Sequence, residues 1–246
     1  MSKLDIEYEF DTLIPSIGGI RVDSIVGKSP NFDNADYLFD ADKIILELKC
    51  LQDNKLQDVE LNKKIFKHFR KWRKQGLDIQ LSYDGWRGTI SNLPRECSNE
   101  ILKIYSKSIK RRVLKANKQI KETKNHLNKS DYKGILLLVN DGNFSLDPEH
   151  IYHILNSILR NSYSAINATI FLTANYPCKA QFTNVDTNVW ANLNRKNMPP
   201  INITFFKKLQ NGWFKHMEQL IGSSVPTIQL RNEQDLRMLV NANKQI

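Results

Sequence analysis

The chain has 246 residues, of which 41% are hydrophobic and 25% charged, and carries a formal net charge of +10. That length buries one sizeable core, and the composition is that of an ordinary soluble globular protein. No apolar run approaches the ~20 residues needed to cross a bilayer, and the N-terminal MSKLDIEYEF lacks the apolar stretch of a secretory signal.

Cys50, Cys97 and Cys178 are scattered and odd in number, without metal-ligand spacing, which points to a reducing compartment, the cytoplasm, and to no disulfide framework. The charge is divided along the chain. Residues 1–60 hold 13 Asp/Glu against 6 Lys/Arg, whereas residues 61–130 hold 5 against 19. An acidic segment followed by a basic one suits a protein that gathers cations at one place and polyanions at another. For the basic block as a whole, nucleic acid is the expected partner, because counterion release rewards many phosphate contacts together.

In chain order, residues 4–15 predict a short helix stopped by Pro15 and the Gly18-Gly19 pair. Ile20 to Val26 reads as a strand, Ser29-Pro30-Asn31 as a turn, and Ala35 to Phe39 and Lys43 to Cys50 as two further strands. Asp58 to Gln75 is helical and very basic, closed by Gly76, and Leu77 to Pro94 reads as a hairpin or irregular excursion. A long amphipathic helix follows, with Leu102, Tyr105, Ile109, Val113, Ala116, Ile120, Thr123 and Leu127 on one stripe and Ser98 as its expected N-cap. GILLLVN (134–140) is a strand buried on both sides, ending in an Asp141-Gly142 turn. Asp147-Pro148 starts a helix to about Arg160, and Ala168 to Ala174 is a second buried strand. Toward the C-terminus the pattern predicts a strand at Ile201 to Phe206, a helix at Trp213 to Ile221, a strand at Thr227 to Leu230 and a helix from Asn232. The order implies an α/β fold: a mixed central sheet with a three-strand meander plus crossover strands, flanked by helices.

The most informative stretch is NADYLFDADKIILELKCL (34–51). Side chains alternate along a strand, so Ile44, Leu46, Leu48 and Cys50 share one face and Lys43, Ile45, Glu47 and Lys49 the other. If Asp40-Ala41-Asp42-Lys43 closes a two- or four-residue loop, Asp36 stands directly across from Glu47. Like charges so placed are destabilising, so a cation is expected between them, with Lys49 two residues along. A three-residue loop instead turns Glu47 to the opposite face. Standing alone, an E-x-K tripeptide reads as the wet side of a half-buried strand; Asp36 in register is what favours a site.

At these residues the sequence resembles the PD-(D/E)XK nuclease superfamily, with its restriction-endonuclease-like core of helix, three-strand meander, helix and strand. The matching positions are Asp36 and Glu47-Leu48-Lys49, with Ala35 in place of the motif's proline. The motif covers about 14 residues and the core about the first 175; the C-terminal third lies outside it. The resemblance implies that Asp36 and Glu47, with the Leu48 carbonyl, hold Mg²⁺ (Mn²⁺ as substitute), and that Lys49 orients the attacking water and offsets transition-state charge. Many members also carry a Gln or Lys on a helix aimed back at the site. Lys115 and Gln119 flank the long helix's apolar stripe and are the candidates, against the plainer reading of a solvated helix flank. Glu7 and Glu9 are further ligand candidates, with ordinary surface carboxylates the stronger reading.

Other features carry less. His150 and His153 form H-x-x-H without further ligands, and read as surface or helix-packing residues. Phe66, Phe69 and Trp72 suit the buried stripe of a helix better than base stacking, while Lys67, Arg70, Lys71, Arg73 and Lys74, with Lys110, Arg111 and Lys115, are assigned to a polynucleotide track. The expectation is therefore a single nuclease-like domain over 1–246, with a basic, mainly helical segment at 51–130 and a C-terminal α/β extension at 176–246. It is expected to be a Mg²⁺-dependent endonuclease acting on DNA ahead of RNA, with no membrane partner, a homodimer left open, and a role in restriction or defence. The alternative is a catalytically inactive module of the same fold that binds nucleic acid or a partner protein.

Overall fold

In the computed structural model of the protein, which describes residues 3–27, 30–52, 58–77, 79, 93–160, 163–176, 178–180, 186–195, 198–225 and 239–241, the first helix, α1 (Ile6–Ser16), is capped by Asp5, whose side chain accepts the Tyr8 N–H at 3.2 Å. The strands β1 (Ile20–Arg21), β2 (Tyr37–Phe39) and β3 (Ile44–Leu51) form an antiparallel meander, with the short helix α2 (Asp23–Val26) between the first two. Helices α3 (Val59–Lys74) and α4 (Arg95–His126) lie between β3 and β4 (Lys133–Asn140), and α5 (Pro148–Leu159) between β4 and β5 (Ala168–Thr173). Strands β3, β4 and β5 run parallel. After β6 (Cys178–Ala180) and β7 (Asp186–Thr187), strand β8 (Trp190–Asn194) joins the sheet antiparallel to β5, and α6 (Ile203–Ile221) follows. The result is an α/β protein with an open, mixed six-stranded sheet in the order β1-β2-β3-β4-β5-β8. A small second sheet pairs β6 with β7 and with β9 (Leu239–Asn241).

Two apolar layers sandwich the main sheet. Ile45, Leu51, Leu136 and Leu138 pack with the stripe of α4 and with α5, whereas Ile44, Leu46, Leu48, Ile135 and Leu137 pack with α1 and α6. β4, at the centre, has no polar side chain before Asn140 once it passes Lys133, as a parallel strand covered on both faces requires. Its second residue fits only as glycine: a Cβ on Gly134 would lie 2.0 Å from the Ala165 carbonyl oxygen and 2.6 Å from Ile120.

Several elements differ from the sequence reading. The strand expected over Ile20–Val26 stops at Arg21, because Val22 turns inward to full burial and Asp23 to Val26 close a helical turn ended by Gly27 at φ +86°. Ser98 is not the N-cap of α4. The helix starts one turn earlier behind Pro94, and Ser98 lies inside it, donating through Oγ to the Leu93 carbonyl. The strand expected at Ile201–Phe206 is instead the start of α6. Asn202 caps it by accepting the Thr204 N–H at 2.9 Å, and Phe205, Leu209, Trp213 and Met217 continue one buried stripe at helical spacing. The helix expected from Asn232 is a strand over Leu239–Asn241; its earlier part, the strand at Thr227 to Leu230, Ser29 of the expected turn and most of the 77–94 excursion lie outside the described residues.

Candidate active site

The β2–β3 hairpin has the even, four-residue loop Asp40–Lys43. Tyr37 pairs with Leu46, Leu38 with Ile45 and Phe39 with Ile44, so the next position in register sets Asp36 across from Glu47. The loop is anchored by its own charges: Asp40 accepts from Lys129 at 2.5 Å and from the Tyr132 hydroxyl at 2.7 Å, Asp42 pairs with Lys208, and Lys43 pairs with Asp131 at 2.7 Å. Its carboxylates are therefore occupied, and those left facing the sheet interior are Asp36 and Glu47.

Glu47 is fully buried, Asp36 is half-buried, and each lies within electrostatic reach of the other. Asp36 Oδ2 also accepts the Leu48 N–H at 2.7 Å, which staples the start of β2 to β3. Because the N–H and C=O of one strand residue point the same way, the Leu48 carbonyl faces the Asp36 side rather than β4. The Lys49 ammonium is ion-paired with Glu47 Oε1, while Glu47 Oε2 has no hydrogen-bond partner at all. Burial pushes Glu47 well above the ordinary carboxylate range, the Asp36 charge adds to this, and Lys49 opposes it. Burial raises Asp36 as well, against the pull of Lys49 and of the Leu48 N–H.

The segment entering Asp36 is held by one face of α4. Gln119 donates through Nε2 to the Asn34 carbonyl at 2.8 Å, Glu122 accepts the Asp33 N–H at 2.9 Å, and Thr123 accepts the Ala35 N–H at 2.7 Å. Gln119, one of the two helix candidates, is thus buried and next to the site through the backbone before Asp36. Its Oε1 is a second buried oxygen without a partner. Lys115, the other, is exposed on the helix flank. The roles of Glu122 and Thr123 escaped the sequence reading, although their positions three and four residues after Gln119 put them on its helix face. Arg112 was also missed: its Nε donates to the Cys50 carbonyl at 3.0 Å, tying α4 to the end of β3.

Around this centre, Cys50 sits where burial and then the Asp141 charge push its thiol up to about 12, so it is no nucleophile at neutral pH. Glu7 contributes a like charge within electrostatic reach of Asp36. Glu9 is not a surface carboxylate: it is buried and meets His216 Nε2 at 2.6 Å, joining α1 to α6. His153 reaches Glu149 at 3.3 Å and His150 is buried beside Asp147, so the H-x-x-H pair serves α5 itself.

The basic residues singled out in the sequence all lie on helix surfaces. Lys67, Arg70, Lys71, Arg73 and Lys74 are exposed on α3, and Lys110, Arg111 and Lys115 on α4; Arg73 also donates to the Ile79 carbonyl at 2.9 Å. Phe69 and Trp72 are buried, whereas Phe66 departs from the expected buried stripe and is 45% exposed.

Among the described residues no group of three or more His, Cys, Asp or Glu side chains is arranged to hold a metal; the hairpin brings together two carboxyls with a neighbouring carbonyl. Among the same residues no helix is long and apolar enough to cross a membrane. No protein-family model, curated protein or solved structure matches the chain.

Proposed function

We propose that this chain is a metal-dependent nuclease that hydrolyses phosphodiester bonds in DNA, built on a restriction-endonuclease-like core of the PD-(D/E)XK type and acting in restriction or defence. The observation that carries this reading is the meeting of Asp36 with the fully buried Glu47 across the hairpin, with Lys49 on the same face. Two carboxyls within electrostatic reach of each other, one with an orphaned buried oxygen, are costly to keep without positive charge. A helix ahead of an antiparallel meander and a parallel fourth strand, in sequential sheet order, also suits that core.

The donor set fits a hard cation, since Mg²⁺ takes one or two carboxylates and keeps several waters. Asp36 and Glu47 would hold it, with the Leu48 carbonyl beside them. When bound, the metal supplies a more acidic water and charge stabilisation at the phosphate oxygens. Asp36, stapled to the Leu48 N–H, has little freedom and fixes the ligand position. Lys49 orients the attacking water and offsets charge on the phosphorane-like transition state. Gln119 and Thr123 hold the backbone that delivers Asp36, and so act as positioning residues. The exposed cations of α3 and α4 bind phosphates without reading bases.

The test is cleavage of supercoiled plasmid by wild type, Asp36→Ala and Lys49→Ala with Mg²⁺ or Mn²⁺, and with EDTA. Each substitution is expected to lower the rate on the order of a hundredfold to a thousandfold, the range lost with one group that stabilises transition-state charge. Equal rates in wild type and variants would overturn the assignment. A second reading, a silent module of the same fold that binds nucleic acid or a protein, draws on the donor set being only two carboxylates among the described residues. Salt-sensitive DNA binding with no cleavage in any metal selects it.

A further inference from the structure

Resting on that reading of the metal site, we infer that Lys49 is the resident counter-ion of Glu47, and that a divalent cation gains the site only by displacing the Lys49 ammonium from Glu47 Oε1. Two of the four carboxyl oxygens of the pair hold a donor, and the one that faces the entry from solvent on Glu47 is held by Lys49. Asp36 Oδ2 holds the Leu48 N–H, Glu47 Oε1 holds Lys49, and Glu47 Oε2 is buried without a partner. Glu47 is wholly inaccessible and the Lys49 side chain is 18% exposed, so the ammonium stands between the buried carboxylate and solvent. Once both carboxyls are ionised, as ligation of a metal requires, two carboxylates and one ammonium leave the cluster one positive charge short of neutrality. Exchanging the ammonium for a monovalent ion leaves that balance as it was. A divalent ion removes the deficit, and the site thereby discriminates by charge.

Displacement has a second consequence. The ammonium released from Glu47 keeps its place on the same strand face and becomes available to a phosphate. Metal binding and the arming of Lys49 are then one event, so Lys49 sets the divalent-ion concentration at which the site turns on. Asp36, on which the Lys49 charge already acts, and beyond it Asp33, paired with Lys118 at 2.8 Å, keep negative charge within reach of the ammonium until a phosphate arrives.

The experiment is a Mn²⁺ titration of the full chain without nucleic acid, following free Mn²⁺ by electron paramagnetic resonance, for wild type, Lys49→Met and Lys49→Arg. Lys49→Met is expected to bind about tenfold more tightly, since a neighbouring charge shifts such equilibria by an order of magnitude or more. Lys49→Arg, which keeps a cation on Glu47, is expected to bind no more tightly than wild type. Simple repulsion would also tighten the Met variant, so displacement is read separately from ¹⁵N-lysine spectra of the wild type. The Lys49 ammonium resonance, assigned by its loss in Lys49→Arg, is expected to shift or broaden on saturation with Mg²⁺. A Lys49 resonance unmoved by saturating Mg²⁺, or equal affinity in wild type and Lys49→Met, overturns the counter-ion role alone. No Mn²⁺ binding in either protein overturns the metal site and this inference with it.

Discussion

On one face of β3, Ile44, Leu46 and Leu48 pack against α1 and α6 and present no polar side chain of the strand itself; on the other, Ile45 and Leu51 bracket Glu47 and Lys49. The two faces are one residue out of phase on one strand, which β4 flanks along its whole length. What differs is what each contributes. The apolar face gains free energy from every methylene it buries, whereas the polar face holds a buried carboxylate whose second oxygen has no partner. Such an arrangement costs stability, and departures of this kind are expected at functional positions, which is the reason the proposed site is put on the polar face.

The largest change should come from cutting into the apolar face. Leu46 is fully buried, and Leu46→Ala is expected to lower the unfolding free energy by about 3 kcal/mol, measured by urea denaturation. A loss under about 1 kcal/mol would mean that this layer relaxes around the cavity, and the contrast between faces would fall. Next in size is Thr123→Val, which leaves the Ala35 N–H without its acceptor in a buried setting and should cost about 1–2 kcal/mol. Since Ala35 precedes Asp36, the same variant should also lose plasmid cleavage beyond what its stability explains.

This contrast was legible in the sequence to the extent that it rests on period. Strand alternation assigned Ile44, Leu46 and Leu48 to one face and Glu47 and Lys49 to the other, and the even hairpin loop, left open against a three-residue one, is the loop observed. The buried runs ILLLV and TIFLT read directly as central strands because parallel strands tolerate no polar face. Legibility failed where a local pattern was outvoted by tertiary packing. The β-branched run Ile201 to Phe206 looked like a strand, but Asn202 as cap and the stripe through Trp213 made it helical. The supports of the site were also hidden. Glu122 and Thr123 act on residues 89 and 88 positions earlier, and nothing in a single sequence signals a contact over that separation.

A smaller effect, of opposite sign, tests the cost assigned to the polar face. In Glu47→Gln the buried charge and its repulsion with Asp36 are gone, the shape remains, and Lys49 keeps Asp36 as its partner, so the fold should gain about 1 kcal/mol as cleavage is lost. The pH dependence fixes the sign. A carboxyl whose folded pKa is raised keeps its proton in the folded state after the unfolded chain has released it. Glu47 therefore weighs least on stability below its ordinary value of 4.5, and its contribution falls as pH rises toward the elevated folded value. Urea midpoints of the wild type in EDTA should decline over that window, with Asp36 adding in the same direction, and Glu47→Gln should flatten the decline. A wild-type curve that rises with pH there, with no difference in the variant, would contradict the buried penalty.

The smallest change in stability belongs to the helix surfaces, where the comparison becomes one between a buried centre and an exposed track. Lys67 and Arg70 lie exposed on α3, so Lys67→Gln and Arg70→Gln should move the unfolding free energy by under about 0.5 kcal/mol. Their effect is expected in DNA binding instead. Each lost phosphate contact should lower the slope of log K against log salt by about one, for any duplex sequence. The same titration on Asp36→Ala should leave that slope as in the wild type, since Asp36 faces the sheet interior and meets no distant phosphate. Slopes that change with Asp36 and not with Lys67 or Arg70 would place the DNA grip at the hairpin, and the helices of the basic block would then be ordinary solvated surfaces.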